Sequence, residues 1–273
     1  MAELAKTVLK DVVATRRRRV EEARARVPLG QVQAAAEARS ERRDFVGALS
    51  GGSLRVIAEL KRASPSQGLI CRDYRPRHIA EAYAAAGAGA LSVLTEEDFF
   101  LGSLADLRKA RAAVGLPVLR KDFILDSYQV FESVAAGADA LLLIVAVLTD
   151  GDLRDLLELC GRQRIAALVE VHSKEEVDRA LAAGARIIGI NNRNLNTMEV
   201  ILDTSLCLRA KIPPTCLAVS ESGIKKAADL ERLAAAGFNA VLIGERLMAA
   251  PDPGRELAAL LEGAKGLARG IVK

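Results

Sequence analysis

Short apolar runs recur along the chain, and each of them follows an alanine-rich segment that ends in glycine. Four copies of this pattern stand at residues 84–93, 134–143, 181–190 and 233–243. Alanine favours helix, and a glycine just past the last helical turn accepts the left-handed conformation that other residues resist. The apolar run that follows lacks strict alternation, which is typical of a strand covered on both faces. Each copy therefore predicts the end of a helix and, after it, a buried parallel strand.

The spacing of the copies predicts further strands between and before them. Their glycines lie about 50 residues apart, whereas one strand–helix unit takes about 25–30 residues. The additional strands are predicted at residues 54–61, 117–122, 165–171 and 216–220. Eight strands alternating with helices predict a parallel α/β fold, and a closed (β/α)₈ TIM barrel is its leading form. An open doubly wound sheet is the alternative, but the glycine-rich turn typical of its first strand is missing.

The first 50 residues stand outside the repeat, as atypical terminal segments of repeat-built folds do. Residues 6–26 are predicted to form a charged amphipathic helix, and residues 32–45 a second helix. We interpret residues 1–50 as an N-terminal helical extension that packs on the barrel. The chain 1–273 is therefore predicted to form a single (β/α)₈-barrel domain.

Composition narrows the classes of partner. The formal net charge is only +4, and the basic run at residues 16–19 has no interleaved aromatics, so a solvated helix face is favoured over a nucleic-acid site. The four cysteines, Cys71, Cys160, Cys207 and Cys216, form no CxxC pair and are interpreted as reduced cytosolic thiols. No segment resembles a signal peptide or a membrane span. We therefore expect a soluble, cytoplasmic protein without a metal, nucleic-acid or membrane partner.

Polar side chains stand at the carboxyl end of nearly every predicted strand, where the active sites of (β/α)₈ barrels lie. Side chains alternate between the two faces of a strand. Glu59 and Lys61 therefore share a face, and because Leu60 between them faces the helices, this charged pair points into the barrel mouth. Asn191 and Arg193 share a face in the same way while the chain stays extended.

Two lysines and two glutamates are predicted to meet in this mouth, namely Glu59, Lys61, Lys121 and Glu170. A structural ion-pair network is the alternative for any one of them, but polar ends on so many strands weigh against it, because buried unpaired charge is costly. Crowded lysines and glutamates have shifted pKa values, which suits general acid–base catalysis. The two histidines, His78 and His172, have no obvious Ser or Cys nucleophile to pair with and are interpreted as structural or solvent-facing.

The turns after the last two strands have the features of a phosphate site. Ser222 and Gly223 follow the seventh strand, Gly244 and Glu245 follow the eighth, and both turns are predicted to lead into helices. Glycine lets backbone N–H groups approach an anion, and helix N-termini favour negative charge. Barrels of this class usually bind phosphate at these two loops, although two ordinary tight turns are an equal alternative. The residues alone therefore predict a phosphate-binding barrel enzyme that uses lysine and glutamate.

Together these strand ends resemble the indole-3-glycerol phosphate synthase family, and the resemblance extends over essentially the whole chain. The motifs that carry it are Glu59-Leu-Lys61-Arg-Ala-Ser64-Pro-Ser66, Leu94-Thr-Glu96, Leu119-Arg-Lys121-Asp-Phe123, Leu168-Val-Glu170-Val-His172, Ile190-Asn191-Asn-Arg193, Ser220-Glu221-Ser222-Gly223-Ile224 and Ile243-Gly244-Glu245. The resemblance implies a cofactor-free lyase of tryptophan biosynthesis. Its substrate would be 1-(2-carboxyphenylamino)-1-deoxyribulose 5-phosphate, and its products indole-3-glycerol phosphate, carbon dioxide and water.

The resemblance also implies roles for the residues at these strand ends. The implied catalytic residues are Glu59, Lys61, Lys121, Glu170, Asn191 and Ser222. Among them Lys121 matches the general acid of the family and Glu170 its general base, while the step served by each lysine stays open. The implied substrate contacts are Ser64, Phe100, Phe123, Leu142, Arg193 and Glu221, with the two Phe and Leu142 as an apolar wall and Glu221 as a partner of Arg193. The implied phosphate contacts are Lys61, Ser222, Gly223, Gly244 and Glu245.

Three loop residues depart from the expected pattern of the family. Leu101 stands where an amide side chain is expected, Gln67 where many members have Lys, and Asn194 where Asp is expected. These positions concern loop closure and rate rather than the type of reaction. Contact with other enzymes of the tryptophan pathway is compatible with the resemblance, and nothing in the sequence decides between a monomer and an oligomer.

Three other functions are alternatives to this one. Phosphoribosylanthranilate isomerase uses a Cys and Asp pair, but here Glu59 and Lys61 stand at the end of the first strand. A Schiff-base aldolase would use Lys121 as a nucleophile on a carbonyl group. A non-catalytic barrel is disfavoured because all four acid–base candidates are retained.

Overall fold

A computed structural model describes residues 2–195 and 197–270, with the side chains of residues 9–195 and 197–264, and in this part of the chain eight parallel strands close into a barrel. Each strand is hydrogen-bonded to the next along the chain, and the eighth to the first. The strands are β1 Arg55–Leu60, β2 Ala90–Leu94, β3 Val118–Lys121, β4 Ala140–Ile144, β5 Ala166–Val171, β6 Ile187–Asn191, β7 Leu217–Glu221 and β8 Ala240–Ile243. A short antiparallel ribbon, Ala63–Ser64 with Gly68–Leu69, follows β1. The predicted (β/α)₈ barrel is confirmed.

Helices cover the outside of the barrel, and α1–α3 precede β1. The helices are α1 Ala2–Arg26, α2 Leu29–Ala38, α3 Phe45–Leu49, α4 Pro76–Ala85, α5 Leu104–Ala113, α6 Ser127–Ala136, α7 Asp150–Arg162, α8 Lys174–Ala182, α9 Asp203–Arg209, α10 Ala227–Ala235, α11 Glu245–Ala249 and α12 Pro253–Gly270. The four glycines of the repeated pattern are left-handed, with φ between 83° and 101°, which confirms the predicted helix ends. Within the residues described, no helix is long and apolar enough to cross a membrane.

The residues that face the inside of the barrel change from apolar to charged along four of the strands. The apolar level on these strands comprises Ile57, Leu119, Leu168 and Val219. Two residues further along the same strands stand Glu59, Lys121, Glu170 and Glu221. Because residues two apart share a face of a strand, the charged side chains lie above the apolar ones, at the carboxyl end of the barrel. A second and larger apolar layer fills the space between the strands and the helices.

Helix α1 lies against the carboxyl ends of β2 and β3. Arg16 forms a buried ion pair with Asp122 at 2.7 Å, and Arg19 pairs with Asp98 at 2.7 Å. The prediction that the basic run on this helix is a solvated face is therefore wrong for Arg16, because its side chain is buried against the carboxylate of Asp122, the residue after β3. The prediction holds for Arg18, whose side chain is exposed.

The prediction of one helix over residues 32–45 is wrong, since α2 and α3 are separate helices joined by residues 39–44. Asp139 explains the break, because its carboxylate binds the guanidinium of Arg39 at 2.6 Å and the backbone N–H of Arg43 at 3.0 Å. The backbone N–H of Arg43 thus donates to a carboxylate instead of to a helical carbonyl group. That the extension and the barrel form one domain stays a prediction.

Candidate active site

A cavity of about 500 Å³ opens at the carboxyl ends of the strands. Every residue that the sequence singled out for catalysis, substrate binding or phosphate binding lines it. Its wall also includes Leu9 and Val12 of α1, Gln67 in the turn of the ribbon, and Lys225 in the loop after β7. The structure thus brings the predicted residues together, while the roles assigned to them stay predictions.

Two groups of lysine and glutamate side chains face this cavity. Nζ of Lys121 lies 2.9 Å from Oε2 of Glu170 and 3.6 Å from Oε2 of Glu221. At the end of β1, Nζ of Lys61 lies 2.9 Å from Oε1 of Glu59, which fits their two-residue spacing. All of these side chains are buried or nearly so. Their charges therefore interact in a site with little water, where electrostatic effects are strong.

The charges around Lys121 and Glu170 determine their protonation. Burial alone would lower the pKa of Lys121, but the surrounding glutamates, with Glu170 first, outweigh it and raise that pKa above its usual range. Burial alone would raise the pKa of Glu170, but Lys121 and His172 outweigh it and hold that pKa well below its usual range. Near neutral pH an ammonium therefore faces a carboxylate, so Lys121 can donate a proton and Glu170 can accept one.

Glu221 differs from Glu170 in its surroundings. Among the described residues, neither of its carboxylate oxygens has a hydrogen-bond partner. Burial raises the pKa of Glu221 to about 8, a rise that Lys121 opposes and Glu170 reinforces. Gly189 on β6 makes room for it, because a side chain at that position would collide with the Glu221 carboxyl group. Glu221 is thus a buried carboxyl group whose neutral form is favoured by its surroundings, and in that form it can donate a hydrogen bond to a ligand.

His172 is the site residue that the sequence missed. It was predicted to be structural or solvent-facing, and the second alternative is wrong, because the side chain is only 12% exposed and its Nε2 lies 3.3 Å from Oε1 of Glu170. Burial alone would lower the pKa of His172, but Glu170 and Glu176 outweigh it and raise that pKa to about 9. The signal was present in the sequence, since His172 stands two residues after Glu170, the same spacing that places Glu59 and Lys61 on one face.

An apolar wall stands beside these charges. The ring centroids of Phe100 and Phe123 are 6.4 Å apart, and Leu142 of β4 lines the same cavity. Glu96 fixes the loop that carries Phe100, because its carboxylate accepts hydrogen bonds from the backbone N–H groups of Phe99 at 2.7 Å and Phe100 at 3.0 Å. Such a wall can bind a flat aromatic ring beside polar groups.

The turns after β7 and β8 differ from each other. Ser222 and Gly223 both adopt left-handed backbone, with φ of 66° and 80°, and a side chain at Gly223 would press on Val200. The prediction that this turn leads into a helix is wrong in detail, because α10 begins only at Ala227. After β8 the prediction holds, since α11 begins at Glu245. Backbone strain of the kind seen at Ser222 is often found at functional sites.

Arg193 pairs with Glu245, with Nη2 2.9 Å from Oε2, and the predicted pairing of Arg193 with Glu221 is wrong. The extended path ends at Asn191, whose Oδ1 accepts a hydrogen bond from the backbone N–H of Arg193 at 3.0 Å. The Arg193 side chain therefore reaches the loop after β8 instead of β7. Asn191 also donates a hydrogen bond from Nδ2 to Oε1 of Glu170, at 3.2 Å.

Comparison with known proteins decides the family of this chain. A family model described as indole-3-glycerol phosphate synthase matches residues 9–260. The chain belongs to the indole-3-glycerol phosphate synthase family. It is 50% identical over 257 residues to the indole-3-glycerol phosphate synthase of Albidiferax ferrireducens, covering 93% of this chain and 97% of the relative. The enzyme of the same name from Carboxydothermus hydrogenoformans is 44% identical over 261 residues, covering 93% and 99%.

Similarity to solved structures supports the barrel fold alone. Thiamine phosphate pyrophosphorylase from Pyrococcus furiosus is 15% identical with a TM-score of 0.59, covering 78% of this chain and 96% of that one. A mandelate oxidase mutant is 19% identical with a TM-score of 0.61, covering 91% and 94%. At these identities the likeness concerns the arrangement of strands and helices.

The three departures from the pattern of indole-3-glycerol phosphate synthases lie in loops. Leu101 has a left-handed backbone, with φ of 53°, and is 44% exposed. Gln67 lines the cavity, and Asn194 follows β6, where its backbone N–H donates to the carbonyl of Glu199 at 2.8 Å. Because the left-handed region favours glycine and asparagine, Leu101 is strained at the position where an amide side chain is expected.

Proposed function

We propose that this chain converts 1-(2-carboxyphenylamino)-1-deoxyribulose 5-phosphate into indole-3-glycerol phosphate, carbon dioxide and water. The observation that carries the proposal is the contact between Lys121 and Glu170 in a cavity that also holds Phe100 and Phe123. An aromatic ring, a carbonyl group and a phosphate each find a matching surface in this one cavity. Membership of the indole-3-glycerol phosphate synthase family supports the same reaction.

Ring closure joins the ring carbon that bears the carboxylate to the C2′ carbonyl carbon. Negative charge then develops on the carbonyl oxygen, and a positioned cation stabilises it and can transfer a proton. Lys121 is the proposed acid, because the glutamates around it hold the pKa of its ammonium high and keep it charged when substrate arrives. Loss of carbon dioxide then restores the aromatic ring.

Dehydration needs an acid for the leaving hydroxyl group and a base for a proton of the new five-membered ring. Glu170 is the proposed base. Once Lys121 has delivered its proton, Glu170 faces a neutral amine, so the pKa of Glu170 rises and its carboxylate becomes a stronger base. Lys61, whose ammonium group lies 2.9 Å from Glu59 of β1, is a second candidate acid. Turnover of single variants of Lys61 and Lys121 would assign the acid of ring closure and of dehydration.

The phosphate is proposed to lie against the turns after β7 and β8. Ser222 and Gly223 form a tight turn after β7, and the backbone N–H groups of such a turn can point at an anion. A side chain at Gly244 would collide with the Glu59 carboxylate, so glycine lets the turn after β8 lie close against the end of β1. Arg193 supplies positive charge nearby while it neutralises Glu245.

The remaining polar residues of the cavity are proposed to orient the substrate. Asn191 is held in place by its hydrogen bond to Glu170. Burial favours the neutral form of Glu221, which can donate a hydrogen bond to a hydroxyl or carboxylate group. Ser64 of the ribbon is buried and lines the same cavity.

The test mixes purified protein with the carboxyphenylamino-deoxyribulose phosphate in the presence of a chelator and follows indole fluorescence. The chain contains no Trp and three Tyr, so new indole emission stands out against a weak background. A substrate-dependent rise is expected and would also show that no loosely bound metal is required. No rise from a folded protein would reject the proposal, and a borohydride-trapped adduct on Lys121 would favour the aldolase instead.

A further inference from the structure

His172 lies next to Glu170 and is held by the first turn of α8. Oε2 of Glu176 lies 3.1 Å from Nδ1 of His172 and also accepts a hydrogen bond from the backbone N–H of His172 at 2.7 Å. Ser173 caps α8 and fixes this turn, because its Oγ accepts a hydrogen bond from the N–H of Glu176 at 3.3 Å. The opposite ring nitrogen, Nε2, lies 3.3 Å from Oε1 of Glu170. The imidazole therefore bridges a structural carboxylate and the carboxylate of the proposed base.

His172 does not line the cavity, so a bound substrate would meet Glu170 and not the imidazole. A residue in this place can act on the reaction only through the group that it contacts. We propose that His172 is a positioning residue for Glu170, which keeps that carboxylate ionised and holds its Oε1 so that Oε2 stays directed at Lys121. This inference rests on the function proposed above, whereas the contacts that carry it are independent of the reaction.

Charged and polar groups reach Glu170 from several strands, and they make different contributions. They are Lys121 on β3, His172 at the end of β5, Asn191 on β6 and Glu221 on β7, while Glu59 on β1 acts on Lys121 and Glu221. Of these, Lys121 gives up its proton in the proposed ring closure, and Asn191 carries no charge. Within the described residues, His172 is then the cation left at ion-pair distance from Glu170. A cation outside the cavity keeps its proton through the reaction and can restrain Glu170 at every step.

Two carboxylates face the ring of His172, Glu170 from β5 and Glu176 from α8. Both stabilise the imidazolium, and together they raise the pKa of His172 to about 9 against the effect of burial. The imidazole is therefore positively charged across the neutral range. A neutral side chain of similar reach at position 172 would keep the contact with Glu170 but remove this charge.

The first test measures the titration of the imidazole itself. The chain has two histidines, and His78 on α4 is exposed, so the variant His78→Gln leaves a single histidine for NMR. We expect its titration midpoint to lie at least about one pH unit above the usual value near 6.5, and Glu170→Gln to lower it. The proposal would be overturned if the titration midpoint of His172 lay at the usual value and did not change in Glu170→Gln.

The second test is the pH profile of turnover. In His172→Gln we expect the acidic limb of the kcat profile to move upward by roughly one pH unit or more, because Glu170 has lost a neighbouring cation. His172→Ala should show the same shift and, in addition, about a tenfold lower kcat on the plateau, because orientation is lost too. His78→Gln is the matched control and should leave the profile unchanged.

These outcomes separate a positioning role from a structural one. A purely structural histidine would change unfolding or KM but leave the acidic limb where it is, and that result would overturn the proposal. Absence of turnover in the wild-type protein would instead reject the proposed function. Normal wild-type turnover with an unmoved limb in His172→Gln would reject only the role of His172.

Discussion

The ammonium nitrogen of Lys121 lies 2.9 Å from a carboxylate oxygen of Glu170. Without substrate, the proposed acid and the proposed base thus neutralise each other inside a largely buried site. The ion pair keeps both groups in the charged forms that they need. Removal of either partner weakens the compensation of a buried charge, which is costly, and leaves Glu170 with His172, or Lys121 with Glu221, as the remaining charged neighbour.

Replacement of Lys121 by Ala should abolish most of the turnover. Loss of a positioned general acid lowers kcat by about 10²–10⁴-fold. The double variant Lys121→Ala, Glu170→Gln should be about as slow as the slower single variant, because the effects of substituting residues that act as a unit are not additive. Lys109→Ala is the control, since this lysine is exposed on α5. A Lys121→Ala enzyme that kept kcat within a few-fold of wild type would remove Lys121 from the mechanism.

Glu221→Gln should stabilise the fold, and more so at alkaline pH. Because burial raises the pKa of Glu221 from 4.5 to about 8, the unfolded chain ionises this group at a lower pH than the folded protein. The contribution of Glu221 to the free energy of unfolding therefore becomes unfavourable as the pH rises from about 4.5 to about 8, and it stays unfavourable at higher pH. The amide avoids this cost, which is of the order of 1–3 kcal/mol for a buried carboxyl group.

The measurement is the free energy of unfolding in urea at several pH values. The gain of Glu221→Gln over wild type should be largest above about pH 8 and small near about pH 5. Turnover should fall in the same variant, because stabilising a functional site commonly costs activity. An equal gain in the free energy of unfolding near about pH 5 and above about pH 8 would contradict a raised pKa of Glu221.

Leu101→Gly should stabilise the protein although it removes an apolar side chain. Leu101 has φ of 53° and is 44% exposed, so the change removes a side chain that is only partly buried and relieves a strained backbone, which is worth about 0.5–1 kcal/mol. Leu69→Gly is the matched control: Leu69 is 50% exposed and is not among the left-handed residues, and here the change should destabilise. Urea unfolding of both variants gives the comparison, and a loss of stability in Leu101→Gly would show that the strain is unimportant.

Arg16→Ala should weaken the attachment of α1 to the barrel. Its guanidinium pairs with Asp122 at 2.7 Å, with both side chains buried, so the deletion leaves Asp122 with Arg120 as its remaining ion pair in the described chain. We expect a loss of about 1–3 kcal/mol, less than for a fully unpaired buried charge. Arg18→Ala, on the same helix but exposed, should change stability by less than about 0.5 kcal/mol. Equal effects of the two variants in urea unfolding would contradict the structural role of Arg16.

Local pattern was sufficient to predict the barrel and many of the residues that line its mouth. A glycine that ends a helix is a local feature, because it depends only on the left-handed φ of that one residue. The face on which Glu59 or Lys61 lies is also local, because it follows from alternation along one strand. Parallel strands bring their carboxyl ends to one edge, so strand-end residues as distant in the chain as Ser64 and Gly244 could be assigned to one cavity.

The sequence by itself thus determined the fold class, the end of the barrel that carries the polar residues, and the family resemblance. Only the tertiary structure decided which of these residues contact each other. It pairs Arg193 with Glu245 rather than Glu221, buries Arg16 against Asp122, and sets His172 beside Glu170. The physical reason is that periodicity defines the face of a single element, whereas an ion pair depends on the distance between side chains of different elements, which no local pattern contains.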